Sequence, residues 1–284
     1  MRKKRGVKGG PGIWGLVAVS FVVGFILAFV LFKYGGLSRF IPAGEEKPVA
    51  RYVPEKPAVP VKKLLPRVAI VIDDMGRDLR KIDALLKIDA PVTVSVLPHL
   101  RHSREVAREA YSKGREVLLH LPMEPKDAVR NNPGKGALLT SMDEKTIRRV
   151  LEEDLGEVPN AVGVNNHMGS RFTENRALMR GVLDIIKEKR LFFLDSRTTS
   201  GTVGVGLAME MGVRNTDRNV FLDNRRERDY IKGQIERLVR IAKKNGKAVA
   251  IGHPYTETLD VLKEELPRLA SEGVEVVNLS ELVR

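Results

Sequence analysis

RVAIVIDD (67–74) is an unbroken apolar run that stops on two adjacent carboxylates. A run without polar alternation reads as a strand buried on both faces, the kind found in parallel sheets. Four further runs end on a residue that binds metal or moves a proton: EVLLHLPME (116–124), AVGVNNHMGS (161–170), LFFLDSR (191–197) and KAVAIGHP (247–254). The endings are Asp73 and Asp74, His120, His167, Asp195 and His253. Helix-like stretches separate the runs, so the pattern predicts a β/α barrel or wound parallel sheet. In such folds the C-terminal strand ends converge on one face, and catalytic residues collect there. Five endings of this kind predict a single acidic and imidazole-lined site around a metal ion.

Outward from 67–74, strands are expected at 68–73, 92–97, 116–120, 161–165, 191–195, 213–216 and 247–253, with a last one at 274–277. Helical spacing covers 79–87, 102–113, 143–155, 174–189 and 226–245. The stretch 121–142 is long for a connection and rich in Gly and Pro, which marks a substrate loop. A Gly/Thr/Ser-rich loop is expected over 196–206. Strand–helix alternation across residues 67–284 fits one domain of barrel type.

The chain has 284 residues, 43% hydrophobic, enough for one sizeable core. Its net charge of +13 is unevenly placed. Residues 1–66 carry 12 Lys/Arg against 3 Asp/Glu, and the remainder 37 against 33. The basic character therefore belongs mostly to the leader, and no basic face calls for nucleic acid. The absence of cysteine excludes disulfides, thiolate ligands and a Cys nucleophile.

Residues 13–32 carry no charge, and at 1.5 Å per residue they span about 30 Å, the thickness of a bilayer core. Arg2, Lys3, Lys4, Arg5 and Lys8 precede them, which keeps the N-terminus cytoplasmic. The run exceeds the roughly 7–15 residues of a cleaved signal and lacks a small-x-small site behind it. The reading is a basic cytoplasmic tail (1–12), one transmembrane anchor (13–32) and a single-pass inner-membrane protein whose domain lies outside the cytoplasm. Pro42, Pro48, Pro54, Pro57, Pro60 and Pro66 make 33–66 a semi-rigid tether.

Adjacent carboxylates repel, so a buried pair needs a cation or donor to compensate. At a strand end Asp73 and Asp74 are expected to point in different directions. One can then hold a metal while the other takes a proton from water. The structural alternative is a helix cap by Asp74 or Asp78. Asp74, His120 and His167 supply three ligands from three strands, the number a catalytic zinc takes from protein. His253 is expected to donate to a leaving group near neutral pH. Asp195 is read as orienting it, with a loop cap as alternative, and Arg171 or Arg197 as a partner of Asp73. Asp73 with Asp195 is also the pair a glycosidase would need, flanking one bond at roughly 5–9.5 Å.

The order Asp-Asp, His-x-x-x-Glu, NNHMGS, LDSRT and GHPY resembles the divergent polysaccharide deacetylases. These are an offshoot of the metal-dependent carbohydrate esterases, which remove N- or O-acetyl groups from glycans. The resemblance covers about residues 67–283. It implies a distorted seven-stranded β/α barrel, here preceded by the N-terminal transmembrane helix. It also implies Asp73 as base, Asp74 as metal ligand, His120 as the first histidine of the metal motif and His253 as general acid. Where the parent enzymes place a second metal histidine this chain has Glu124, the alternative ligand. Their Arg-x-Pro segment is replaced by NNHMGSRF, which brings His167. The expected function is metal-dependent deacetylation of an envelope or exported glycan, peptidoglycan or an exopolysaccharide, with zinc as cofactor. The rival is a catalytically silent glycan- or protein-binding module on the same barrel.

Overall fold

The computed structural model describes residues 65–284. The expected tail and anchor, and nearly all of the tether, lie outside the described residues. Among the described residues no helix is long and apolar enough to cross a membrane.

Nine strands form one sheet: β1 (Arg67–Met75), β2 (Val92–Val96), β3 (Val117–Met123), β4 (Ala161–Met168), β5 (Phe192–Asp195), β6 (Asn215–Asp217), β7 (Val220–Phe221), β8 (Lys247–Gly252) and β9 (Glu275–Val276). Their order is β6-β5-β4-β3-β2-β1-β8-β7, with β9 pairing β1, and every ladder is parallel. Parallel neighbours need crossovers, which the helices supply. These are α1 (Leu79–Leu86), α2 (Ser103–Ser112), α3 (Glu144–Glu157), α4 (Arg176–Glu188), α5 (Gly204–Met211), α6 (Arg228–Asn245) and α7 (Thr256–Leu269).

The sheet curls into a half-barrel, and both of its faces are apolar. Val68, Ile70, Ile72, Val92, Val94 and Val96 belong to the layer packed under the helices. On the concave side Ala69, Val71, Leu118, Phe192, Leu194, Val249 and Ile251 gather in a second cluster, joined by Val277, Leu279 and Leu282 of the C-terminal segment. The burial explains the lack of alternation in the sequence: neither face meets water.

The seven-strand expectation needs correction: the path has eight strands and β9 beside it. The expected strand at 213–216 forms as β6 and is followed at once by β7. The Arg218 N–H donates to the Asp195 carbonyl at 3.0 Å and the Asn219 N–H to the Val249 carbonyl at 2.9 Å. The chain thus leaves β5 and joins β8 between two consecutive residues, so the two ends of the sheet path are chain neighbours. Two helices depart from expectation as well. α5 begins within the expected 196–206 loop, its Gly204 and Gly206 masking a helical signal. α7 was not foreseen, although Thr258, Leu259, Val261, Leu262, Leu266 and Leu269 are buried along one stripe. β3 and β4 also run three residues beyond their expected ends, to Met123 and Met168.

Candidate functional site

Side-chain alternation along parallel strands decides which strand ends share a face. Ala69 and Val71 lie in the concave cluster, so Asp73 continues on that side. By the same count His120 follows Leu118 on β3, and His253 follows Val249 and Ile251 on β8. On β4 Asn165 and His167 are two apart, and Asn165 is the register partner of His120.

Alternation alone would turn Asp74 away. Its backbone instead adopts φ +57°, and the β1–β2 register shifts between Ile72 and Met75. A left-handed residue other than Gly costs about 1–2 kcal/mol, and bulges of this kind re-aim side chains beside active sites. The two carboxylates, expected to point in different directions, converge instead. Asp74 Oδ1 lies 3.3 Å and Asp73 Oδ2 3.5 Å from the same atom, His120 Nε2. Asp78, not Asp74, caps α1, accepting from the Arg80 N–H at 3.0 Å.

His167 Nδ1 completes a triangle, 3.0 Å from Asp74 Oδ1 and 3.1 Å from His120 Nε2. A tetrahedral ion with bonds of about 2.1 Å separates its donor atoms by about 3.4 Å. Asp74 Oδ1 is buried and accepts no aligned hydrogen bond, although two ring nitrogens stand beside it. Three donor atoms at this spacing, one of them an orphaned carboxylate oxygen, fit a divalent cation. Asp74, His120 and His167 are thus a group among the described residues whose donor atoms lie close enough together to hold a metal ion. Burial works against charge on Asp74, but the two rings beside it prevail and hold its carboxyl well below the usual carboxylate range. Burial also works against charge on His120, while Asp73 and Asp74 raise its pKa. The potential that draws a proton to this ring equally draws a cation that would replace it.

Glu124, the alternative ligand, is held elsewhere. Its Oε2 accepts from the Thr140 N–H at 2.6 Å and the Thr140 hydroxyl at 2.7 Å, and its Oε1 lies 3.4 Å from Arg171 Nη1. It sits just past the end of β3, where the chain enters the long loop, and ties that loop's two ends together. Arg197 pairs with Asp217 at 2.6 Å, so neither expected arginine serves Asp73. Asp73 accepts from the Asn165 amide at 2.9 Å instead.

Asp195 does not orient His253. Leu194 occupies the concave cluster, so the next residue faces the helix layer. There its carboxylate accepts from the Arg197 N–H at 2.8 Å and the Thr202 hydroxyl at 2.7 Å, and burial raises its pKa. The same orientation removes it as a glycosidase partner of Asp73. His253 is held by Asp223, a residue the sequence reading passed over. Asp223 Oδ1 is 3.0 Å from His253 Nδ1, and its Oδ2 accepts from the His253 N–H at 2.6 Å and from Thr258 at 2.8 Å. This leaves His253 Nε2 facing the centre, 3.8 Å from Asp74 Oδ2. Burial pulls the pKa of His253 down, but the carboxylates of Asp223 foremost, and of Asp74 and Asp73, together raise it. VFLD (220–223) ends on Asp much as LFFLD does (191–195), and that likeness was the available signal. A cavity of about 290 Å³, lined by Asp74, Gly76, Arg77, Lys81, His253 and Tyr255 among others, opens beside these groups.

The chain is similar to an uncharacterized protein of Haemophilus influenzae, 37% identical over 218 residues that cover 77% of each chain. It is 36% identical over 217 residues to the uncharacterized protein YibQ of Escherichia coli, covering 76% of this chain and 67% of that one. The crystal structure of an uncharacterized protein from Agrobacterium tumefaciens superposes with a TM-score of 0.74 at 25% identity, over 77% of this chain and 89% of the other. A family model described as divergent polysaccharide deacetylase matches residues 70–283. With that match running from β1 to the C-terminal segment, through all five strand-end motifs, the chain belongs to the divergent polysaccharide deacetylase family.

Proposed function

We propose that this protein is a metal-dependent deacetylase of an envelope or exported glycan, peptidoglycan or an exopolysaccharide, built on a distorted barrel and tethered to the inner membrane by residues 13–32. The observation that carries this reading is the triangle of Asp74 Oδ1, His120 Nε2 and His167 Nδ1, with edges of 3.0–3.3 Å, bordered by Asp73 and His253. A bound divalent ion, zinc in this reading, supplies Lewis-acid polarisation of the acetyl carbonyl and lowers the pKa of water.

The chain's own residues do the rest. Asp73 is placed to take a proton from the attacking water, whose oxygen joins the acetyl carbon. His253, whose protonated form is favoured by the Asp223 carboxylate at its Nδ1, gives the Nε2 proton to the departing amine or alkoxide as the C–N or C–O bond breaks. Acetate and a free amine or hydroxyl result. Roles for Asp195 and Glu124 at the reacting atoms are not part of this scheme, since both carboxylates are engaged with other partners.

The test is the full chain in detergent, assayed for bound metal and for acetate release from an N-acetylated glycan with zinc, cobalt or manganese added. Asp74→Ala should lose metal and turnover together, the latter by about 10²-fold or more. Wild-type rates in that variant would overturn the scheme. A wild-type protein that takes up no metal and releases no acetate would favour the silent binding module.

A further inference from the structure

Asn165 sits between the proposed metal centre and the proposed base with no exposed surface. Its amide carbonyl accepts from the Ser95 hydroxyl at 2.6 Å and faces His120 Nδ1 at 3.1 Å. Its amide nitrogen donates to Asp73 Oδ1 at 2.9 Å and to the Ser196 hydroxyl at 3.2 Å. Both donors and both acceptor positions of the amide are therefore used. Asp73 Oδ1 accepts at one end of the amide, which marks that end as the nitrogen. The carbonyl must then face His120, and His120 Nδ1 must carry the hydrogen between them. This leaves Nε2 as the ring atom that faces Asp74 Oδ1 and His167 Nδ1 and that a cation would take.

We propose that Asn165 is a positioning residue with two duties: its carbonyl sets His120 to bind the cation through Nε2, and its amide N–H aims Asp73 at the reacting water. The inference rests on the deacetylase reading for the second duty and on the metal centre alone for the first. β-sheet register makes the double contact natural. Asn165 is the direct partner of His120 across the β3–β4 ladder, while Asp73 approaches from β1. A histidine ligand whose second ring nitrogen is held in this way binds metal more tightly, and removing the holder typically lowers affinity 10–100-fold.

Two substitutions separate the duties. Asn165→Ala removes both. Asn165→Asp keeps the acceptor for His120 and Ser95 but presents Asp73 with a carboxylate oxygen instead of a donor. The measurements are the zinc dissociation constant of the full chain, by competition with a chromophoric chelator, and acetate release under zinc saturation. Asn165→Ala is expected to weaken zinc binding by roughly 10- to 100-fold. Asn165→Asp is expected to hold zinc within about threefold of wild type while kcat falls by about 10²-fold, the scale of losing a general base. A residue needed only for folding would not divide affinity from turnover in this way. An Asn165→Ala protein that binds zinc like wild type overturns the inference, as does an Asn165→Asp protein that has lost zinc binding. If Asn165→Ala fails to fold, the isosteric Asn165→Asp decides alone by the same split. Wild-type zinc binding without acetate release overturns the deacetylase reading and the second duty, while the affinity loss in Asn165→Ala still decides the first.

Discussion

Asp223 is the residue whose role is most open to a direct test. It fixes three hydrogen-bonding groups at once, the His253 ring, the His253 backbone and the Thr258 hydroxyl. Asp223→Asn keeps the shape but exchanges a charged acceptor for a neutral one. The proposed acid would be less often protonated and less firmly aimed. We expect kcat for acetate release to fall by roughly 10²-fold with little change in KM, and zinc affinity to stay near wild type. Steady-state kinetics at zinc saturation check this, and an unchanged kcat would remove Asp223 from the mechanism. Asp74 illustrates the opposite kind of information. Its identity was plain in the sequence, but its left-handed backbone was not, and only that conformation brings it onto the same nitrogen as Asp73.

At the scale of elements, the long connection from β3 to α3 is pinned at two points. Glu124 bridges its ends through Thr140. Near its middle Gly136, at φ +83°, passes directly over the buried Asp154 of α3, where a Cβ would overlap the carboxylate. Asp154 Oδ1 lies 2.8 Å from His99 Nε2, and Oδ2 has no partner. Burial, with Glu153 and Glu157 adding to it, pushes the Asp154 pKa up to about 8. Burial lowers that of His99. Burial thus favours the neutral form of both groups. The folded carboxyl holds its proton to higher pH than the unfolded one, whose pKa is near 3.8. Its contribution to stability is therefore complete below about pH 4 and is lost as pH rises through about 8. Urea unfolding at several pH values should show Asp154→Asn with a flatter profile than wild type between those limits. Parallel profiles would mean that the carboxyl ionises without penalty.

At the scale of the whole molecule, residues 13–32 predict attachment to the inner membrane. The full chain should stay with membranes through carbonate extraction, and a chain cut back to residue 65 should not; release of the full chain would defeat the anchor. Much of the domain was legible beforehand, because a parallel sheet covered on both faces writes its strands as apolar runs and its site at their C-terminal ends. RVAIVIDD, EVLLHL, AVGVNNHM and KAVAIG became β1, β3, β4 and β8, and the Asp74, His120 and His167 group was named from those endings. Strand endings say nothing of direction, however, and there the tertiary structure decided. One face of alternation sent Asp195 into the helix layer, and a bulge brought Asp74 in beside Asp73. A change of partner at Arg218–Asn219, just past the expected strand at 213–216, started β7 and carried Asp223 to His253. Composition and periodicity are local and determine which residues lie at a strand end. Which of them face one another depends on backbone torsions and on pairing between distant segments, and those are settled only when the sheet has curled and packed.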